Sequence, residues 1–262
     1  MINFNRVFAM IYRYAINLRH NFDRLADMFY WPAMDLFIWG LTGIYFAKLN
    51  PQIPHGEQII ITGVIFWIVI WRAQYEITTN LLSEMWDINL VNIFISPLTV
   101  IEWIIAVMIY GFAKMIVSLS FSALLAFILF DYSVLSFGIY LIPIVLSLLL
   151  TGWAGGFLVA SFIIRYGTKI QTIAWMGVAV IAPFTALYYP LSTLPDWAQK
   201  IAIIVPSSYI LENTRQILLT GTVTYEKFII SFALNIFYLI LSLWFFMWMF
   251  KRRKKAGLGN LI

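Results

Sequence analysis

EITTNLLSEMWDINLVNIFISPLTVIEW, from Glu76 to Trp103, is the stretch whose reading decides the fold. It joins two long apolar segments and yet carries Glu76, Glu84, Asp87 and Glu102. Ile77, Leu81, Met85 and Ile88 recur at helical spacing, which predicts a short amphipathic helix lying at a membrane surface. Ser96-Pro97 ends that helix, because proline has no backbone N–H to continue the ladder. Thr99-Val-Ile-Glu102 then has the form of a capping box, in which hydroxyl and carboxylate satisfy the first free amides of a new helix. A long apolar helix follows at once.

On both sides of this stretch the chain is apolar. Of 262 residues 62% are hydrophobic and only 11% charged, against an apolar share of about half in soluble domains. An all-α integral membrane protein is expected. Cysteine is absent, which excludes disulfides, thiolate metal sites and cysteine nucleophiles. His20 and His55 lie in different segments with no carboxylate cluster beside them, which argues against a histidine metal site. The formal net charge of +5 raises a nucleic-acid reading, but five of the basic residues form the run Lys251–Lys255 directly after an apolar segment. That arrangement is a membrane-orientation signal, and no nucleic-acid partner is expected.

Residues 1 to about 25 lack the continuous apolar core and small-residue cleavage site of a signal peptide. They predict an amphipathic interfacial helix, with Phe4, Val7, Phe8, Ile11, Ala15, Leu18, Phe22 and Leu25 on one side and Arg6, Arg13, Asn17, His20 and Arg24 on the other. Its arginines face either anionic lipid or a protein partner. Six spans are expected near 28–48, 58–75, 99–128, 134–164, 170–190 and 227–250, each judged against the roughly 20 apolar residues that cross a bilayer. Lysine and arginine set the orientation: twelve fall on one side (Arg6, Arg13, Arg19, Arg24, Arg72, Arg165, Lys169 and the terminal five) and four on the other (Lys48, Lys200, Arg215, Lys227). Both termini are therefore expected in the cytoplasm of a cell membrane, inner or plasma. The chain reads as one transmembrane domain, 1–262, with the interfacial helix at 1–25, a cytoplasmic segment at 76–98 and an external helical hairpin at 190–226. Pro190, Pro195 and Pro206 break the hairpin into short pieces, and Glu212 and Arg215 pair at i,i+3 on its polar face.

Within the spans, Asp35 is expected to face the protein interior or a wet cavity, because a carboxylate against hydrocarbon costs about 2.5–3.5 kcal/mol on insertion scales. Lys114 is expected to snorkel to the surface. Gly152, Gly155 and Gly156, with Ala160 one turn on, predict a close helix–helix contact. Trp31, Trp39, Phe184, Tyr188 and Tyr189 are candidate pathway residues. There is no GxxxxGK[ST], HExxH or GxSxG motif and no paired-carboxylate motif in a water-facing segment, so no catalytic residue, metal or bound cofactor is assigned to this chain.

The amphipathic N-terminal helix, the six spans, the Ser96-Pro97-Leu98 element with Glu102, and the block LPDWAQKIAIIVPSSYILENTRQILLTG from Leu194 to Gly221 with Pro206, Glu212 and Arg215 resemble the permease subunits of type-2 ABC exporters. The resemblance runs over nearly the whole chain. It implies a dimer of two permease chains, alike or related, bound to two copies of a separate ATPase that holds ATP and magnesium. It implies that Glu84, Met85, Trp86, Asp87, Ile88 and Asn89 form the helix that docks on the ATPase, flanked by the N-terminal helix. The function implied is export of an amphipathic substrate (drug, lipid or lipid-linked glycan), with no enzyme activity in this chain. A secondary transporter or channel working without an ATPase remains the alternative, since Asp35 is placed to carry protons. A membrane-embedded lipid-modifying enzyme lacks the water-facing acids or histidines it needs.

Overall fold

The computed structural model describes residues 2–257 except 50, 53 and 54. Among the described residues the regular structure is entirely helical. Helix α1 (Phe4–His20) is capped by Asn3, whose side chain accepts from the amide of Asn5, and stops at the extended Asn21. The Asn21 side chain accepts from the Arg24 amide and so starts α2 (Phe22–Leu49). After α3 (Gly56–Trp86) come a short α4 (Leu90–Ile95) and α5 (Val100–Phe130). A 3-10 turn at Val134–Tyr140 leads into α6 (Leu141–Tyr166). The return is irregular: a 3-10 turn at Gly167–Ile170, α7 (Ile173–Met176) and a 3-10 run Gly177–Phe184. Then follow α8 (Asp196–Ala202), α9 (Pro206–Thr220) and α10 (Tyr225–Ala256).

Among the described residues four stretches are long and apolar enough to cross a membrane: α3, α5, residues 134–170 around α6, and α10. The chain is a membrane-embedded helical protein. Helix α2 is 28 residues long but carries Asp23, Arg24, Asp27, Asp35 and Lys48, and is not among the four. The expected span at 170–190 is not one continuous helix. Pro183 has no N–H to give the ladder, and Ala186 adopts a left-handed φ of 62°.

The stretch from Glu76 to Trp103 departs from expectation in one respect and meets it in another. No separate surface helix forms at 76–88; these residues to Trp86 are the last third of α3, and Glu76 to Met85 are buried except Tyr75's neighbour Thr79 on the outer side. The periodicity was that of a packed helix end, and the charges are buried because partners on other helices neutralise them. The capping box at Thr99 and Glu102 forms as expected, with Thr99 Oγ1 accepting from the Glu102 amide and the Glu102 carboxylate accepting from the Thr99 amide.

The long helices pack around α6, which lies against both α3 and α10. Gly152 and Gly156 make the α3 contact possible: a Cβ on Gly152 would come 2.5 Å from the Ala73 Cβ and the Ile70 carbonyl oxygen, and one on Gly156 would come 2.9 Å from Ile77. Gly155 points instead toward Val178 with ordinary room. Gly152→Leu is therefore expected to destabilise by about 1–3 kcal/mol through overpacking, whereas Gly155→Ala is near neutral. Thermal unfolding in detergent micelles separates the two.

Two apolar cores stack along the bundle. One joins α1, the C-terminal half of α3, α4, the start of α5 and the ends of α6 and α10, around Trp103, Phe157 and Phe246. The other joins the start of α3, the end of α5, the start of α6, residues 178–187 and α9, around Phe66, Phe137 and Ile210. One end of the molecule thus gathers α1, α4 and the C-terminal end of α10; the opposite end gathers residues 132–140 and 186–224.

Candidate functional site

Four charged side chains meet between α2, α3 and α5. Arg72, fully buried, donates from Nη1 to Asp27 Oδ2 at 2.6 Å and from Nη2 to the Asp27 carbonyl at 2.9 Å. Its Nη1 is also 3.5 Å from Glu76 Oε1, one helical turn on. Glu76 Oε1 lies 2.5 Å from the ammonium of Lys114, and Asn80 donates to the Glu76 carbonyl at 2.6 Å. The four charges cancel. That is the condition under which ions tolerate burial, since an unpaired one among them is strongly unfavourable. Two expectations are corrected here. Lys114 does not snorkel; Gly111, one turn earlier, leaves space for the Glu76 side chain to approach α5, and the ammonium turns inward to meet it. Arg72 is not near the end of its helix, as the span 58–75 implied: α3 runs 14 residues beyond it.

Helix α1 is strapped to the same end. Its buried residues are Val7, Met10 and Tyr14, a single stripe at i, i+3 and i+7, while Phe4 (76% exposed), Phe8 (68%) and Tyr12 (59%) form a second stripe facing outward. The single apolar face expected from periodicity is therefore two. Arg13 Nη2 donates to Glu84 Oε2 at 2.8 Å. Arg6 donates to the Pro97 carbonyl, and the Asn3 amide donates to Glu102 Oε1 at 2.8 Å. Trp103 Nε1 donates to the Tyr14 hydroxyl at 3.0 Å, deep in the core, where burial holds the Tyr14 phenol well above its usual pKa. Arg24 lines a cavity described below and Arg13 is an ion-pair partner, so neither stands on a uniform lipid-facing polar side.

The six residues expected at an ATPase contact divide. Glu84 and Met85 are buried, Glu84 being held by Arg13 and by Asn89 Nδ2 at 2.8 Å. Both are packed inside the chain rather than presented on its surface. Trp86, Asp87 and Ile88 are exposed and Asn89 is half-buried. Trp86 is tied down all the same: its Nε1 donates to Gln171 Oε1 at 3.1 Å and its ring stacks on Trp175. Ile88 has a φ of 53°, an unusual value for a β-branched residue. With Ile95, 77% exposed at the end of α4, it makes an apolar tip on the α3–α5 connection.

A cavity of about 400 Å³ opens beside the charge cluster, lined in part by Asp27, Tyr30, Trp31, Tyr75, Glu76 and Trp175, with Arg24 at its edge. A second, of about 200 Å³, is a partly open cleft lined by Trp31, Pro32 and Asp35 of α2 and Trp67, Ile68 and Trp71 of α3. Trp31 lines both. The other candidate pathway residues are dispersed: Trp39 stacks on Tyr188 at 4.2 Å, Phe184 meets Trp197 edge-on, and the Tyr189 hydroxyl donates to the Pro183 carbonyl. Glu212 and Arg215 do pair, at 2.9 Å, and Arg215 Nη2 also donates to the Ala186 carbonyl at 2.8 Å, at the left-handed residue. Burial lowers the Arg215 pKa and Glu212 opposes that shift. This pair fastens α9 to the end of the irregular return segment.

Asp27, Asn80 and Gln74 make interior polar contacts without having been singled out from sequence. Asp27 sits 45 residues before its partner Arg72, and no local spacing marks the pair. Among the described residues no three His, Asp or Glu side chains gather into a metal-binding group. Neither a family model nor a curated protein sequence matches the chain.

Proposed function

We propose that this chain is the membrane subunit of an exporter for amphipathic molecules, driven by a separate cytoplasmic ATPase. In this reading α2, the return segment 173–187 and the four long helices make six crossings, both termini are cytoplasmic, and two permease chains form the pathway with two ATPase copies. The observation that carries it is the tip made by Ile88 and Ile95. It is apolar, faces outward, and sits on the connection between α3 and α5, two long apolar helices. Because α1 ties Glu84 of α3 to Glu102 of α5 through Arg13, Arg6 and Asn3, force applied at the tip moves both helices as one body. The basic residues Arg165, Lys169 and the run Lys251–Lys255 support the cytoplasmic placing of this end.

The test exploits the absence of cysteine. Ile88→Cys, carrying a photo-crosslinker in native membranes, is expected to capture an ATPase with a GxxxxGK[ST] loop, and inside-out vesicles are expected to take up a fluorescent amphipathic dye only with ATP. The unpaired Asp35 carboxylate favours a second reading, proton-driven transport without an ATPase. Uptake abolished by a protonophore and indifferent to ATP, with no ATPase captured, decides for that second reading.

A further inference from the structure

We propose that Asp35, Trp31, Trp67 and Trp71 form a binding site for a monovalent organic cation. Asp27, Glu76, Glu84 and Glu102 each face a cation supplied by the chain itself. Asp35 differs from these four: it makes no hydrogen bond or ion pair among the described residues, although it lies midway along α2 and is only partly exposed. Its place on the helix is eight residues beyond Asp27, about 12 Å at 1.5 Å per residue, which leaves the Arg72 guanidinium committed elsewhere. A lone carboxylate in the wall of an apolar cavity is costly unless something neutralises it.

The rest of the wall says what that something is. Three indoles line a space of about 200 Å³ with the carboxylate. Trp71 already holds the Arg72 guanidinium over its ring and stacks on Tyr75, which leaves Trp31 and Trp67 to meet an alkylated ammonium through the ring quadrupole, strongest for indole. One carboxylate matches one positive charge and gives too few oxygens for a calcium or magnesium ion. An anion is repelled. Trp31 also lines the 400 Å³ cavity, where Tyr30, Tyr75 and Trp175 extend the aromatic surface toward α1, so the cation's apolar body has a lane to occupy. The inference rests on the transport reading for its role as a substrate site, but binding to the isolated chain needs no ATPase, so the two fail separately.

The test is calorimetric titration of the purified full chain in detergent with benzyltrimethylammonium, and with benzenesulfonate as the anion of similar size. Saturable binding of the cation and none of the anion is expected. Asp35→Asn and Trp67→Ala are each expected to weaken cation binding at least tenfold. Asp35→Asn is also expected to raise the unfolding temperature, since it removes an unpaired charge and no bond, which shows that the variant folds. Absence of saturable cation binding overturns the proposal. So does binding that Asp35→Asn leaves unchanged, an outcome that moves the cation to the Asp27–Glu76 cavity.

Discussion

Glu76→Gln is expected to destabilise the protein by about 3–5 kcal/mol, the cost of leaving a buried charge without its partner. Glu76 is 1% exposed and is the carboxylate that Lys114 touches, so the substitution strands an ammonium that is itself 5% exposed. Arg72 keeps Asp27. Lys114→Met alone is expected to cost less, because Arg72 Nη1 stays 3.5 Å from the Glu76 carboxylate. The double variant restores neutrality and leaves the Asp27–Arg72 pair intact, so it should recover most of the loss, with a coupling of a few kcal/mol in the double-mutant cycle. Denaturant unfolding in micelles measures all three. Additive losses without recovery would mean that the four groups do not act as one neutralised unit.

Under the exporter proposal, Ile88→Asn is expected to weaken binding of the proposed ATPase at least 30-fold, about 2 kcal/mol, while leaving the fold intact or slightly steadier. A β-branched residue at φ 53° carries strain of about 1–3 kcal/mol, and asparagine adopts that region more readily. The side chain is 64% exposed, so nothing within the chain repays the strain by burial. An apolar contact made with a partner would. Ile95→Asp should act in the same direction, because Ile95 is exposed and caps the other side of the tip. The measurements are copurification with the ATPase and unfolding temperature. Unchanged binding in both variants would place the coupling contact elsewhere.

What was legible in the sequence was local. Thr99 and Glu102 lie three residues apart and form their box; Glu212 and Arg215 lie three apart and pair; Gly152 and Gly156 lie four apart and meet α3. What was not legible was neutralisation across helices. Arg72, Glu76 and Lys114 are each compatible with water when read along the chain, and only the meeting of α2, α3 and α5 shows that they cancel. For the same reason the burial of Glu84 was not legible, since its partner Arg13 lies 71 residues away. The segment expected as a span at 170–190 is apolar but is not one continuous helix, because Pro183 and the left-handed Ala186 interrupt it, and Arg215 donates to the Ala186 carbonyl; composition alone does not show such breaks. Of the candidate pathway residues, the structure places Trp31 and Asp35 in one cavity and leaves Phe184 and Tyr189 in other contacts.

The strap formed by α1 also fixes an order of events during synthesis. Tyr14 meets Trp103 across 89 residues, and Asn3 meets Glu102 across 99. At about 5–20 residues per second, the ribosome delivers the receiving surface roughly 5–20 s after α1 has emerged. In that interval Val7, Met10 and Tyr14 have no seat, and α1 docks only after α5 has emerged. Its outward stripe of Phe4, Phe8 and Tyr12 gives it a way to wait, parked on the bilayer surface beside the insertion site until α5 arrives to receive it.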